Sequence, residues 1–167
     1  MAIIHSLEKD QAEDIAKAVY ENFEKQAGRV PEWVKVMAHC PEIVKEFTEL
    51  FKTIMGEGEI DPLLRWKIAF VVSDSLKCPF CVDVTTKMLK TLGASEKDIE
   101  KVKKGEDSKE LLDLVKEVTL KAYVCTPELF ERMKKKFSEK EIVKIVSIIG
   151  LFNYINRFNN TLCILPE

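Results

Sequence analysis

The sequence predicts an all-α protein folded as a single helical bundle, and three observations carry that prediction. Apolar residues recur at three- and four-residue steps along nearly the whole chain. Helix-start chemistry stands in front of these stripes, as Cys-Pro-Glu, Asp-Pro, Cys-Pro and Ser-x-x-Glu. No alternating apolar and polar run of strand length is bounded by turn residues. The 167 residues are 46% hydrophobic and 32% charged, enough to build one core without disulfide staples. Prolines and glycines fall singly at helix junctions, so a single domain over residues 1–167 is expected.

The first helix is expected between Gln11 and Ala27, with Ala12, Ile15, Ala16, Val19, Phe23 and Ala27 on one face. Gly28 to Pro31 breaks it, and a short helix follows through Trp33 and Met37. Cys40-Pro41-Glu42 opens the next, with a predicted stripe of Ile43, Phe47, Leu50, Phe51 and Ile54, ended by Gly56 and Gly58. Asp61 as N-cap, with Pro62 at the first helical position, starts a helix from Leu63 to Leu76 that is apolar on most sides. Cys78-Pro79 starts another, Gly93 stops it, and Ser95 with Asp98 caps a short successor. Leu111, Val115, Val118 and Ala122 form the stripe of a helix running toward Cys125. Pro127 begins one carrying Leu129, Phe130 and Met133. Ser138-x-x-Glu141 is a capping box that leads into Ile142, Ile145, Val146, Ile149 and the terminal segment Leu151 to Leu165.

Composition removes several function classes. With 26 Lys+Arg against 28 Asp+Glu the formal charge is −2, and no basic stripe supports nucleic-acid binding; Lys134 to Lys136 reads as a solvated helix face. The longest apolar stretch, Ile142 to Phe152, is interrupted by Lys144 and Ser147 and falls well short of the ~20 residues of a membrane span. Met1 to His5 runs straight into charged residues rather than into a signal peptide, so a cytoplasmic protein is expected, with no membrane partner. In that setting the five cysteines are reduced thiols, and any disulfide is catalytic or regulatory.

The chemistry concentrates at Cys78-Pro79-Phe80-Cys81. Pro79 at the first helical position puts Cys78 at the N-cap, where unpaired N–H groups and the helix dipole favour a thiolate. Cys81 lies almost one turn on, so both sulfurs project from the same side and can form and open a short-loop disulfide. Two other readings compete. A C-x-x-C is also half of a zinc site, but its missing ligands would have to come from His39-Cys40, whose side chains diverge. Free cysteines are also often simply buried. Disulfide exchange is the leading reading; no metal or other cofactor is assigned.

The segment DPLLRWKIAFVVSDSLKCPFCVDVTTKMLKTLGASEKDI, Asp61 to Ile99, resembles the redox-helix region of the alkylhydroperoxidase D and carboxymuconolactone decarboxylase superfamily. AHCPEIVKEF upstream and FSEKEIVKIVSIIGLFNYINRFNNTL at the C-terminal end resemble the flanking helices. The paired Cys78 and Cys81 resemble the dithiol branch in particular. This resemblance implies an alkylhydroperoxidase D-like bundle, peroxide or disulfide reduction at Cys78 and Cys81, an external thiol reductant, and a homo-oligomer, trimer or hexamer. It also implies a proton relay through a Glu twelve residues before the first Cys and a His four after the second, which would activate Cys81, whereas the helix terminus favours Cys78; the sequence leaves the choice between them open. Here the relay positions are Trp66 and Thr85. A hydroxyl can hydrogen-bond a thiolate but is no general base near neutral pH. Asp83 points to another helix face, Asp74 precedes the Pro79 break, His5 and His39 are distant, and Lys77 beside Cys78 is a solvated lysine at most able to lower its pKa. None of them rebuilds the relay.

Cys125 is expected in the core, and Cys163 free or at an interface. Asn153, Asn156 and Asn160, with Arg157 among them, follow a helical spacing and are expected to fix packing or subunit contacts. The apolar excess of the helices at 63–76 and 142–152 suggests burial between subunits. The expected function is a thiol-disulfide oxidoreductase or peroxidase-like protein. The rival is a non-catalytic helical homo-oligomer, binding or redox-sensing, that has lost the relay. Lactone decarboxylation is a weaker third reading, since no substrate-binding constellation supports it.

Overall fold

The computed structural model describes residues 2–121 and 127–166. Among them nine helices and no strand are found, an all-α fold: α1 Asp14–Ala27, α2 Glu32–Met37, α3 Pro41–Met55, α4 Pro62–Ser75, α5 Pro79–Thr91, α6 Glu96–Lys104, α7 Lys109–Lys121, α8 Pro127–Met133 and α9 Glu139–Thr161. None of these helices is long and apolar enough to cross a membrane.

The start signals act as expected. The Asp61 carboxylate accepts the Leu64 amide at 3.1 Å and opens α4. Ser95 and Ser138 form complete capping boxes with Asp98 and Glu141, opening α6 and α9. Helix α4 is the axis of the fold: it packs against α5, α6, α7 and α9, while α1 and α2 lie on α3, α8 on α7, and α3 on α9. Its Ile68, Ala69 and Val72 have no accessible surface. Burying each Ile or Val of this kind stabilises the fold by about 1.5–3 kcal/mol. Much of the apolar surface of α4 is thus covered inside one chain, with Leu63, Leu64 and Trp66 partly buried.

Three expectations are corrected. Helix α1 begins at Asp14 rather than Gln11, because residues 8–12 fold into a turn in which the Ala12 amide donates to the Glu8 carbonyl at 3.1 Å. Its buried face is Ala16, Val19 and Tyr20, with Phe23 half-buried, while Ile15 and Ala27 are exposed. In α3 the core face is Pro41, Val44, Phe47, Thr48, Ile54 and Met55, whereas Ile43 and Leu50 are half exposed. Both stripes keep three- and four-residue steps and share Phe47 and Ile54; the buried face is rotated toward Val44, Thr48 and Met55, the side that α1, α2 and α9 cover. Ala122 and Cys125 lie outside the described residues.

Candidate dithiol site

Two helix ends converge on the cysteine pair. At the end of α4 the Lys77 amide donates to the Asp74 carbonyl and the Cys78 amide to the Ser73 carbonyl, each at 3.2 Å, with Lys77 left-handed at φ 52°. This is a Schellman turn with Lys77 at C′. It hands the chain directly to Cys78, the N-cap of α5, followed by Pro79 at the first helical position. At the end of α9 the same turn recurs. The Ile164 amide donates to Asn159 O at 2.9 Å and the Cys163 amide to Asn160 O at 3.3 Å, with Cys163 at φ 56°. The turn drops Ile164 onto Cys78, Cys81, Phe80 and Val36, in a small apolar cluster that Ala2 also joins. The Ile3 amide ties this N-terminal segment to Leu162 O at 2.9 Å.

The asparagines of α9 hold the junction. Asn156, fully buried, donates to Ser73 Oγ at 3.3 Å and to Phe152 O at 2.6 Å. Asn160 donates to Leu76 O at 3.0 Å, and Asn153 donates back to Ile149 O at 2.9 Å while accepting from Arg157. Their expected packing role is visible in these bonds. The member of the group that touches sulfur is one the sequence reading missed: Asn159, fully buried, donates Nδ2–H to Cys81 Sγ at 3.3 Å. Its signal in the sequence is its place three residues after Asn156, one more polar residue on the inward side of an apolar helix.

Both sulfurs are buried as free thiols, Cys78 with 0% and Cys81 with 5% of its surface accessible. Their environments differ. Cys78 makes no formal cap hydrogen bond, but it accepts the Cys81 S–H and lies beside the backbone amides of Cys81 and Phe80. Together these hold its pKa below the ordinary thiol value despite burial. Cys81 is pushed well up, first because its proton is shared with Cys78 and then because it is buried beside that charge; only the Asn159 N–H opposes the shift. Cys78 is thus favoured as the more acidic thiol, first by the Cys81 S–H and only then by the amides of the helix terminus.

Cys81, and not Cys78, lines a cleft of about 730 Å³. Its walls are a chain of rings: Trp33 to Phe47 at 5.5 Å between centroids, Phe47 to Phe51 at 6.4 Å, Phe51 to Trp66 at 6.4 Å and Trp66 to Phe152 at 6.0 Å. Trp66, in the expected relay position, is therefore wall rather than acid. Thr85 is fully buried in the cleft lining, but its hydroxyl donates to Cys81 O at 2.7 Å and Val82 O at 3.2 Å, so it does not serve the sulfur.

Among the described residues no substitute relay assembles. Asp83 pairs with Lys87 at 2.6 Å, and Lys77, 78% exposed, turns its ammonium to Asp74 at 3.6 Å. His39 donates to His5 O at 3.0 Å and meets the His5 ring edge-on at 4.7 Å, pinning the N-terminal segment. Cys40 and Cys163 are exposed. Among the described residues no three His, Cys, Asp or Glu side chains group as metal ligands, so His39 and Cys40 do not complete a site with the pair.

Known proteins can be compared with this geometry. Residues 41–104, α3 through α6, match the model of the carboxymuconolactone decarboxylase family. No curated protein matches the chain. Among solved structures, a peroxidase-related protein of Ralstonia eutropha JMP134 with an alkylhydroperoxidase AhpD core is 19% identical, with a TM-score of 0.88 over 99% of this chain and 92% of that one. A protein of unknown function from Agrobacterium tumefaciens, described as a candidate antioxidant defence protein AhpD, is 27% identical, with a TM-score of 0.72 over 78% of this chain and 94% of its own. The debrominase Bmp8 is 20% identical at a TM-score of 0.84, over 99% of this chain and 92% of its own. A Cys-to-Ala variant of Bmp8 has been solved in complex with 2,3,4-tribromopyrrole. The segment Pro41–Lys104 thus matches the carboxymuconolactone decarboxylase family, and the chain as a whole shares the all-α fold of these AhpD-like structures.

Proposed function

We propose that this chain is a dithiol oxidoreductase in which Cys78 and Cys81 cycle between dithiol and disulfide at the expense of a peroxide or a disulfide substrate. The observation that carries the reading is the division of labour between the sulfurs: Cys78, at the α5 N-terminus, is the thiol whose ionisation is favoured, and its hydrogen-bonded partner Cys81 borders the cleft. With Trp66 and Thr85 in the relay positions, the base nearest to the Cys81 proton is the Cys78 thiolate. Transfer of that proton to Cys78 leaves a Cys81 thiolate, which attacks the outer oxygen of a hydroperoxide. The O–O bond breaks, Cys81 becomes a sulfenic acid and the alkoxide leaves, protonated to alcohol at the expense of Cys78 S–H. The Cys78 thiolate then attacks the Cys81 sulfur, forming the disulfide and expelling hydroxide. An external thiol, available in a cytoplasmic setting, returns both to the reduced state.

Self-association is part of the same proposal. On α9 the side chains Val143, Val146 and Tyr154 remain exposed, and on α3 so do Ile43 and Leu50. The aromatic walls of the cleft also suit a flat ring of the kind bound by the debrominase variant.

Peroxide consumption in the presence of a dithiol reductant tests the reading. Cys78→Ser and Cys81→Ser should each lower turnover at least about a hundredfold, because removing one member of a unit disables the whole. Turnover equal to wild type in either variant contradicts it.

A further inference from the structure

The buried polar side chains of the cleft are unequally engaged. The Thr48 hydroxyl donates to Lys45 O at 2.8 Å and the Thr85 hydroxyl to Cys81 O at 2.7 Å, so both serve their own helices. Asn159 has no accessible surface and gives its Nδ2 to Cys81 Sγ, but its Oδ1 has no hydrogen-bond partner among the described residues. Leaving a buried carbonyl oxygen bare costs about 1–3 kcal/mol. Asn156 Oδ1 is bare as well, but Asn156 lies outside the cleft lining, and its donations to Ser73 and Phe152 already account for it as a packing residue. Asn159 sits at the cleft, beside the sulfur, within a surround of aromatic rings.

These features suit one kind of occupant. The cleft, at about 730 Å³, lies in the range of small-molecule sites. Rings such as Trp33, Phe51, Trp66 and Phe152 favour a flat apolar guest, each good ring contact contributing about 0.5–1.5 kcal/mol beyond burial. Asp83, the acidic side chain of the lining, is already paired with Lys87, and Asn22 and Gln26 are exposed to solvent, which leaves the Asn159 carbonyl as the buried side-chain acceptor for a neutral donor.

We propose that Asn159 is the recognition residue of the cleft. Its N–H fixes the Cys81 sulfur, and its Oδ1 accepts a hydrogen bond from the N–H or O–H of a flat aromatic ligand seated among the rings. The proposal deepens the dithiol reading, since it sets the ligand's polar group next to Cys81, but binding itself needs no redox step.

Both tryptophans of the chain, Trp33 and Trp66, line the cleft, so their fluorescence reports occupancy. Reduced full-length protein is titrated with para-bromophenol and with para-bromoanisole, which differ in that a methyl group replaces the donor hydrogen. The bromine of either compound quenches a nearby indole. Wild type should be quenched saturably by para-bromophenol, with about tenfold weaker binding of para-bromoanisole, the worth of one buried hydrogen bond. In Asn159→Leu the preference should vanish while para-bromoanisole still binds. Should that variant fail to fold, Asn159→Ser, which withdraws the carbonyl, carries the same expectation. Equal binding of the two probes by wild type, a preference that survives the substitution, or quenching without saturation overturns the proposal. Failure of the dithiol reading looks different: the probe preference then persists in wild type and in Cys78→Ser, while wild type forms no disulfide under mild oxidation.

Discussion

The α4–α5 and α5–α6 junctions are built on the same turn and differ in its chemistry. Both are Schellman turns, closed at α4 by Lys77 and Cys78 onto Asp74 and Ser73, and at α5 by Gly93 and Ala94 onto Lys90 and Leu89. At α5–α6 the left-handed position is Gly93, and the next helix opens with the reciprocal Ser95–Asp98 box. At α4–α5 the left-handed position is Lys77, and the next helix opens with a cysteine that makes no cap hydrogen bond. The α5–α6 junction uses residues that suit its backbone. The α4–α5 junction accepts a non-glycine left-handed residue, which costs about 1–2 kcal/mol, and leaves helix N–H groups to a sulfur. The α9 end repeats the pattern with Cys163 at φ 56°, so both non-ideal turns meet at the cysteine pair.

Substitutions can break or sharpen this contrast. The largest stability effect is expected at Ile164, which the α9 turn lays over Cys78: Ile164→Ala should cost about 2–5 kcal/mol in denaturant unfolding and should speed alkylation of Cys78. Next comes acidity. The Cys81 S–H is the first cause of the lowered Cys78 pKa, so Cys81→Ala should move the Cys78 thiolate absorbance toward higher pH, read as the difference from Cys78→Ser. The linkage follows in sign. A depressed Cys78 contributes stability that is complete above the ordinary thiol pKa and fades as pH falls through its folded value. A raised Cys81 does the reverse and lowers stability as pH climbs past the ordinary value. Reduced wild type should therefore lose stability on the alkaline side, and Cys81→Ala should lose less; identical alkaline profiles would contradict the assignment.

The capping difference predicts smaller changes. Ser95→Ala should cost about 1 kcal/mol, because it breaks a complete capping box. Lys77→Gly should gain up to about 1 kcal/mol by relieving the left-handed residue, without moving the Cys78 titration, since the Lys77 ammonium is turned to Asp74. A Cys78 pKa that rises with Lys77→Gly would show that the lysine charge acts on the sulfur after all.

The helical plan was legible in the chain because its stop and start signals are local. Asp61-Pro62, Ser95-x-x-Asp98, Ser138-x-x-Glu141 and Gly93 act within one turn, and each does in the fold what its spacing implies. The cysteine pair was legible for the same reason, but the relative acidity of its two thiols was not, since the helix terminus favoured Cys78 and the family resemblance favoured Cys81. Faces were less legible. Ile43 and Leu50 are large and apolar yet half exposed, because the α3 face is decided by what α1 and α9 cover and not by residue size. Least legible were the contacts made across the fold. Asn159 reaches Cys81 from 78 positions away, Ile164 covers Cys78 through a turn at the far end of α9, and the Thr85 hydroxyl is taken by its own helix. Trp66 read as a missing acid, and only its ring neighbours reveal it as a wall of the cleft.

Mass analysis after mild oxidation tests the central claim most directly. Treated with about one equivalent of peroxide and digested after the remaining thiols are blocked, the protein should yield the peptide carrying Cys78 and Cys81 lighter by two hydrogens and restored by a dithiol reductant. Recovery of that peptide with both cysteines as unmodified thiols, or with oxygen added irreversibly to one sulfur, would contradict the account.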